Sequence, residues 1–132
     1  MEIRAFERGD LDQTIRLCRA EGWESYCADP ERTYRALSAS NVICLVAVEN
    51  EKVWEFAQCL TDGAIRAYLA SMVVEADKRG TAIGKRLVEE ILASLQRRVC
   101  RPALDRRGPR IHESFPHQKF VGYRIYPKSA AR

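Results

Sequence analysis

The chain has 132 residues, 46% of them hydrophobic and 30% charged, with a formal net charge of +4. That length suits one domain, 1–132, with a buried core, and the balance is typical of a soluble globular protein rather than a disordered or fibrous one. No apolar run is long enough to cross a bilayer, and Met1-Glu2-Ile3-Arg4 lacks the regions of a signal peptide, so a cytoplasmic protein without membrane contact is expected.

Cys18, Cys27, Cys44, Cys59 and Cys100 are an odd number and form no C-x-x-C pair. Reduced, mostly buried thiols follow. His112 and His117 have no cysteine at zinc spacing, so no metal is expected. Charge is uneven: residues 97–132 hold ten Lys/Arg against Asp105 and Glu113, which leaves the first 96 residues net acidic. Such a basic quarter suits a polyphosphate ligand, nucleic acid, or simply a solvated surface.

Residues 2–6 alternate as a short half-buried strand. Asp10 with Gln13 has the pattern of a capping box, and Leu11, Ile15 and Cys18 share one helical face, which predicts a helix to about residue 20. Residues 21–28 read as a loop carrying Trp23 and Tyr26. Asp29-Pro30-Glu31 starts a second helix through Leu37. Residues 42–48, 53–61 and 66–74 are apolar, β-favouring runs joined by short polar turns, the pattern of an antiparallel meander. A long amphipathic helix follows Gly80, with Ile83, Leu87, Val88, Ile91 and Leu95 on one stripe. Residues 99–104 give a weak strand, 111–115 one helical turn, and 120–126 a final strand. The order β-α-α-β-β-β-α-β-α-β describes an α/β (α+β) domain: a mixed, mostly antiparallel sheet with helices on both faces.

The passage from strand 66–74 into the helix after Gly80 is the informative stretch. A strand running through a basic glycine turn into a helix N-terminus aims free backbone N–H groups at one spot and binds an anion, usually phosphate. A P-loop is excluded, because three residues rather than four separate Gly80 and Gly84, and Arg86 stands where Ser or Thr should hold Mg²⁺. The dinucleotide spacing G-x-G-x-x-G is absent as well.

Arg79-Gly80-Thr81-Ala82-Ile83-Gly84 resembles the R/Q-x-x-G-x-G/A pyrophosphate motif of the GNAT N-acetyltransferase superfamily, with Ala82 at the first motif glycine. The element order is similar through about residue 95. The resemblance implies acetyl-CoA as cosubstrate and an amine acceptor, on a small molecule or a protein. It also implies that Arg79, Gly80, Thr81, Ala82, Ile83, Gly84, Lys85 and Arg86 hold the pyrophosphate. Pantetheine would pair like an added strand with Met72, Val73 and Val74, and the amide of Val73 or Val74 would polarise the thioester carbonyl. Ala82 adds one methyl near the phosphate, which implies weaker binding rather than none.

The family's proton donor is often a tyrosine near the C-terminus. Ile111-His112-Glu113-Ser114-Phe115 can be laid on that segment, which puts His112 at the tyrosine position, with a plain surface histidine as the competing reading; in the less favoured placement Phe115-Pro116 falls there, and proline has no proton to give. Tyr123 and Tyr126 are other hydroxyls for the role. Glu55, in the third strand, is a candidate base if it faces the cleft and a solvent-facing acid if it does not. Trp23, Tyr26, Trp54 and Tyr68 are candidate walls for the acceptor, or ordinary packing. Two other readings stand beside the enzyme: a GNAT-like domain that binds acyl-CoA without turnover, and, less favoured, a nucleic-acid module using the basic region. The irregular stretch 97–116 admits completion by a second copy, as a homodimer.

Overall fold

The computed structural model describes residues 1–96, the backbone of 101–104, and Pro116. The expected helical turn at 111–115 and final strand at 120–126, and with them His112, Tyr123 and Tyr126, lie outside the described residues. Among the described residues no helix is long and apolar enough to cross a membrane.

Five strands form one sheet in chain order: β1 (Glu2–Ala5), β2 (Val42–Glu49), β3 (Lys52–Thr61), β4 (Arg66–Val74) and β5 (Arg101–Leu104). The first four are antiparallel, and β5 runs parallel to β4. The helices α1 (Leu11–Ala20), α2 (Glu24–Cys27) and α3 (Pro30–Ser38) cover one face, and α4 (Ile83–Gln96) the other. The mixed, mostly antiparallel sheet with helices on both faces is thus the observed architecture, and α2 is a short helix where a loop was expected.

Each face has its own core. Leu17 and Cys18 of α1 and Leu37 of α3 pack with Cys44, Val46, Val53, Phe56 and Val73. Leu87, Val88, Ile91 and Leu95 of α4 pack with Ile43, Ala57, Cys59, Ala67 and Leu69. Burying each large α4 side chain contributes roughly 1.5–3 kcal/mol, which anchors the helix and therefore its N-terminus. Cys18, Cys27, Cys44 and Cys59 are free thiols, and burial pushes Cys18 and Cys44 up to about 12, so both are inert packing groups.

Local chemistry sets the elements. Asp29 caps α3, accepting from the Arg32 amide at 3.2 Å, with Pro30 in the first turn. Asp10 does not cap α1 through its side chain. Its carboxylate instead accepts the Glu7 amide at 2.8 Å and both arms of the Arg4 guanidinium, closing a single 3₁₀ turn ahead of α1. Gln13 likewise leaves the capping box: it donates to the Glu51 carbonyl and accepts the Val53 amide, both at 2.9 Å. That clamps α1 to the β2–β3 hairpin, whose two-residue turn puts Asn50 and Glu51 at φ 53° and 60°.

Two bulges interrupt the alternation of side chains. Ala47 pairs with Glu55 but Val48 with Val53, so Trp54 is an extra residue in β3. Gln58 pairs with Ser71 but Cys59 with Leu69, so Ala70 is an extra residue in β4. Each bulge moves the residues beyond it to the other face. Val53 and Phe56 therefore share the α1–α3 core, and Leu69 and Met72 both meet the α4 core.

Candidate active site

The turn between β4 and α4 comes first. A 3₁₀ turn at Ala76–Lys78 leads to Arg79 in an extended conformation, then to Gly80 at φ +76°, where a side chain would strain the backbone. Among the described residues, the amides of Gly80, Ala82, Ile83 and Gly84 donate to no protein acceptor. These are the orphan donors that a helix start presents to an anion. The side chain of Ile83 is buried, so it can reach a ligand only through its amide, whereas Thr81, Lys85 and Arg86 are exposed around the turn. Thr81 is turned back, its hydroxyl donating to the Lys78 carbonyl at 2.6 Å. Arg79 is folded back too: its Nε donates to the Val74 carbonyl at 3.1 Å and its guanidinium pairs with Glu21.

Among the described residues, the strand leading to this turn pairs with no strand along part of one margin. The Glu75 amide donates to the Trp54 carbonyl on β3 at 2.8 Å. Backbone groups alternate along a strand, so Val73 and Ser71 also face β3, while Met72 and Val74 face the opposite edge. The Val74 carbonyl agrees, since it is the group that Arg79 reaches. On that edge β5 pairs with Arg66–Leu69 only, and among the described residues no strand pairs with Met72 or Val74. Val73 is a correction to the expected cofactor set: its backbone is paired with β3 and its side chain is 3% exposed within the α1–α3 core.

Glu75, just beyond β4, is neutralised by Lys52 at 3.0 Å and Arg16 at 3.2 Å. Burial alone would raise its carboxyl, but these two cations outweigh burial and hold it below the usual range. Trp54 stands at this end of the sheet, with Lys52 Nζ 3.7 Å and Lys78 Nζ 4.7 Å from its ring centre. It does not join the other three aromatic candidates.

Those three belong to the α1–α3 face. Trp23 and Tyr26 pack ring to ring at 5.7 Å, and Trp23 opens onto a shallow depression with Arg19 and Glu24. Tyr26 reaches the sheet, its hydroxyl 3.0 Å from Gln58 Oε1 and 2.5 Å from Ser71 Oγ. Burial raises the Tyr26 hydroxyl, and the Ser71 contact only partly offsets this. Tyr68, opposite Leu60, is 38% exposed and borders a separate depression with Asn41 and Arg66.

Glu55 is neither a cleft residue nor a solvent-facing acid. It lies between Ala47 and Val74 on the α4 side and is 0% exposed, and among the described residues neither oxygen has a hydrogen-bond partner. Burial raises it to about 8. A base must come within hydrogen-bond reach of the proton it takes, and a sealed carboxyl does not. Sequence reasoning missed Gln58 and Ser71. Their signal was two polar residues inside apolar strands, and the structure pairs them across β3 and β4.

Among the described residues, this α+β domain thus presents a turn of amides without a protein acceptor at the end of a strand that is unpaired on one side at Met72 and Val74. The family model for the acetyltransferase (GNAT) family matches residues 9–109, and the chain belongs to that family. No curated protein sequence matches it significantly. Among solved structures, an aminoglycoside 6′-N-acetyltransferase complexed with coenzyme A is 24% identical, with a TM-score of 0.66 over 76% of this chain and 58% of the other. The aminoglycoside 6′-N-acetyltransferase from Enterococcus faecium is 25% identical, with a TM-score of 0.68 over 79% of this chain and 61% of the other. An aminoglycoside antibiotic 6′-N-acetyltransferase from Acinetobacter haemolyticus is 14% identical but superposes with a TM-score of 0.77 over 99% of this chain and all of the other. The chain thus spans less than two thirds of the length of the first two.

Proposed function

We propose that the protein is an acetyl-CoA-dependent N-acetyltransferase acting on a primary amine. One observation carries the reading: among the described residues, the edge of β4 at Met72 and Val74 pairs with no strand and runs directly into amides of the α4 N-terminus that donate to no protein acceptor. Pyrophosphate fits at Gly80–Gly84, with Lys85 and Arg86 beside it. Pantetheine then extends back along β4, meeting Val74 first and Met72 farther from the turn. The thioester carbonyl falls at the far end, so the Met72 amide is the donor that polarises it. That replaces Val73 and Val74 in this role.

In the reaction the amine nitrogen bonds to the carbonyl carbon and the C–S bond breaks with its electron pair leaving on sulfur. The nitrogen releases its proton to solvent, and sulfur takes one from His112, the residue that the resemblance aligns with the family's tyrosine. An aminoglycoside such as kanamycin is the first acceptor to try, because that substrate class is named for the solved structures above. Calorimetric titration with acetyl-CoA, followed by a thiol-release assay with kanamycin, tests the reading. Saturable binding and amine-dependent thiol release support it, and no binding at millimolar acetyl-CoA refutes it.

A further inference from the structure

The hydrogen-bond chain from α3 to β4 has a direction that the atoms themselves dictate. Gln58 Nε2 donates to the Ala36 carbonyl at 3.3 Å, which turns its Oε1 toward Tyr26. An amide oxygen only accepts, so the single hydroxyl hydrogen of Tyr26 is committed to Gln58 over 3.0 Å. In the 2.5 Å contact between Tyr26 and Ser71 the tyrosine oxygen must then accept and Ser71 must donate. The main chain of Tyr26 is pinned as well, its carbonyl accepting from the Thr33 hydroxyl at 2.6 Å. Ser71 Oγ is left with no hydrogen to offer and with lone pairs that no described residue uses. Successive hydrogen bonds polarise one another, which strengthens that oxygen as an acceptor.

The position of Ser71 gives this polarity a use. It sits between the extra residue Ala70 and Met72, whose amide faces away from β3, and its side chain, 8% exposed, lies on the α1–α3 face against Tyr26. An attacking amine must point its lone pair at the carbonyl carbon, so its N–H groups need acceptors elsewhere.

We propose that Ser71 binds the acceptor amine by taking one of its N–H hydrogens at Oγ, and that Tyr26 and Gln58 are positioning residues that deny Ser71 any other role. The proposal rests on the acyl-transfer reading above. It selects primary amines, which keep one N–H hydrogen after acylation, over hydroxyl acceptors. A hydroxyl has one hydrogen, which it must lose to attack, whereas an amine has one to spare for Ser71.

The test compares wild type with Ser71→Ala, Ser71→Thr and Tyr26→Phe, using acetyl-CoA and kanamycin. Each variant is first checked for its unfolding temperature and for acetyl-CoA binding by calorimetry. Ser71→Ala is expected to bind acetyl-CoA as wild type does and to lose roughly tenfold in kcat/KM for the amine, the equivalent of one hydrogen bond. Ser71→Thr keeps the hydroxyl and should recover most of the amine rate, and Tyr26→Phe should show a smaller loss of the same kind. A Ser71→Ala variant with wild-type kcat/KM for the amine overturns the role of Ser71 while leaving the acyl-transfer reading intact. A Ser71→Thr variant that loses as much toward the amine as Ser71→Ala overturns it too. A wild-type protein that neither binds acetyl-CoA nor releases thiol overturns the acyl-transfer reading itself.

Discussion

Glu55 and Val74 face each other across β3 and β4, so a fully buried carboxyl with no hydrogen-bond partner among the described residues lies directly opposite a residue of the proposed ligand edge. Desolvation keeps Glu55 protonated to about pH 8, whereas in the unfolded chain it ionises near 4.5. The folded state therefore holds one more proton between those values. Its stabilising contribution is complete below the unfolded value and is lost as pH rises through the folded one. Glu55 should remove about 1.4 kcal/mol of stability per pH unit across that window. Urea unfolding of wild type and Glu55→Gln at several pH values between 5 and 8, on the order of one unit apart, checks this. The wild-type stability should fall with pH relative to the variant, and parallel profiles would show that Glu55 is ionised or partnered.

Asp10→Ala should destabilise the domain by about 2–4 kcal/mol. The Asp10 carboxylate is buried and takes the two Arg4 bonds, at 2.7 and 2.8 Å, together with the Glu7 amide. Burial by itself would raise its carboxyl, but Arg4 and the Glu7 amide lower it below the usual range. Denaturant unfolding measures the loss. A change under half a kcal/mol would mean that water replaces Asp10 at little cost.

Glu51→Gly should stabilise the protein by about 0.5–1 kcal/mol, because residue 51 holds a left-handed φ of 60° in the β2–β3 turn. The urea midpoint should rise with the slope unchanged. The Gln13 bond to the residue 51 carbonyl is a main-chain contact and survives the substitution.

Met72→Pro and Val73→Pro form a contrasting pair. Met72 turns its amide to the free edge, so proline there leaves the β3 ladder intact, whereas Val73→Pro removes a ladder bond and should cost about 3 kcal/mol or more. Met72→Pro should fold and bind acetyl-CoA yet lose roughly 10²–10³ in kcat, as expected for a missing oxyanion donor. Thermal unfolding and thiol-release kinetics read both. Full activity in Met72→Pro would move the polarising donor elsewhere.

Much of this fold was legible in the sequence because its signals are local. The Asp29-Pro30 start of α3, the apolar stripe of α4 and the three strand runs of the meander each show in a short window, and the turn at Arg79–Gly84 gave the family. What was not legible depends on residues distant in the chain. Asp10 and Gln13 have a capping pattern, but Arg4 and the β2–β3 hairpin claim their side chains. The bulges at Trp54 and Ala70 break the two-residue period, so the faces of Glu55, Met72 and Ser71 could not be counted from sequence. The Tyr26–Gln58–Ser71 chain needs three separate elements to meet, which no spacing announces.

Residue-by-residue amide hydrogen exchange with and without saturating acetyl-CoA tests the ligand site most directly. Slowed exchange is expected at Met72, Val74, Ile83 and Gly84, with Val73 unchanged because β3 already engages it. If acetyl-CoA leaves those four amides as they were, the β4 edge and the α4 N-terminus do not form the site.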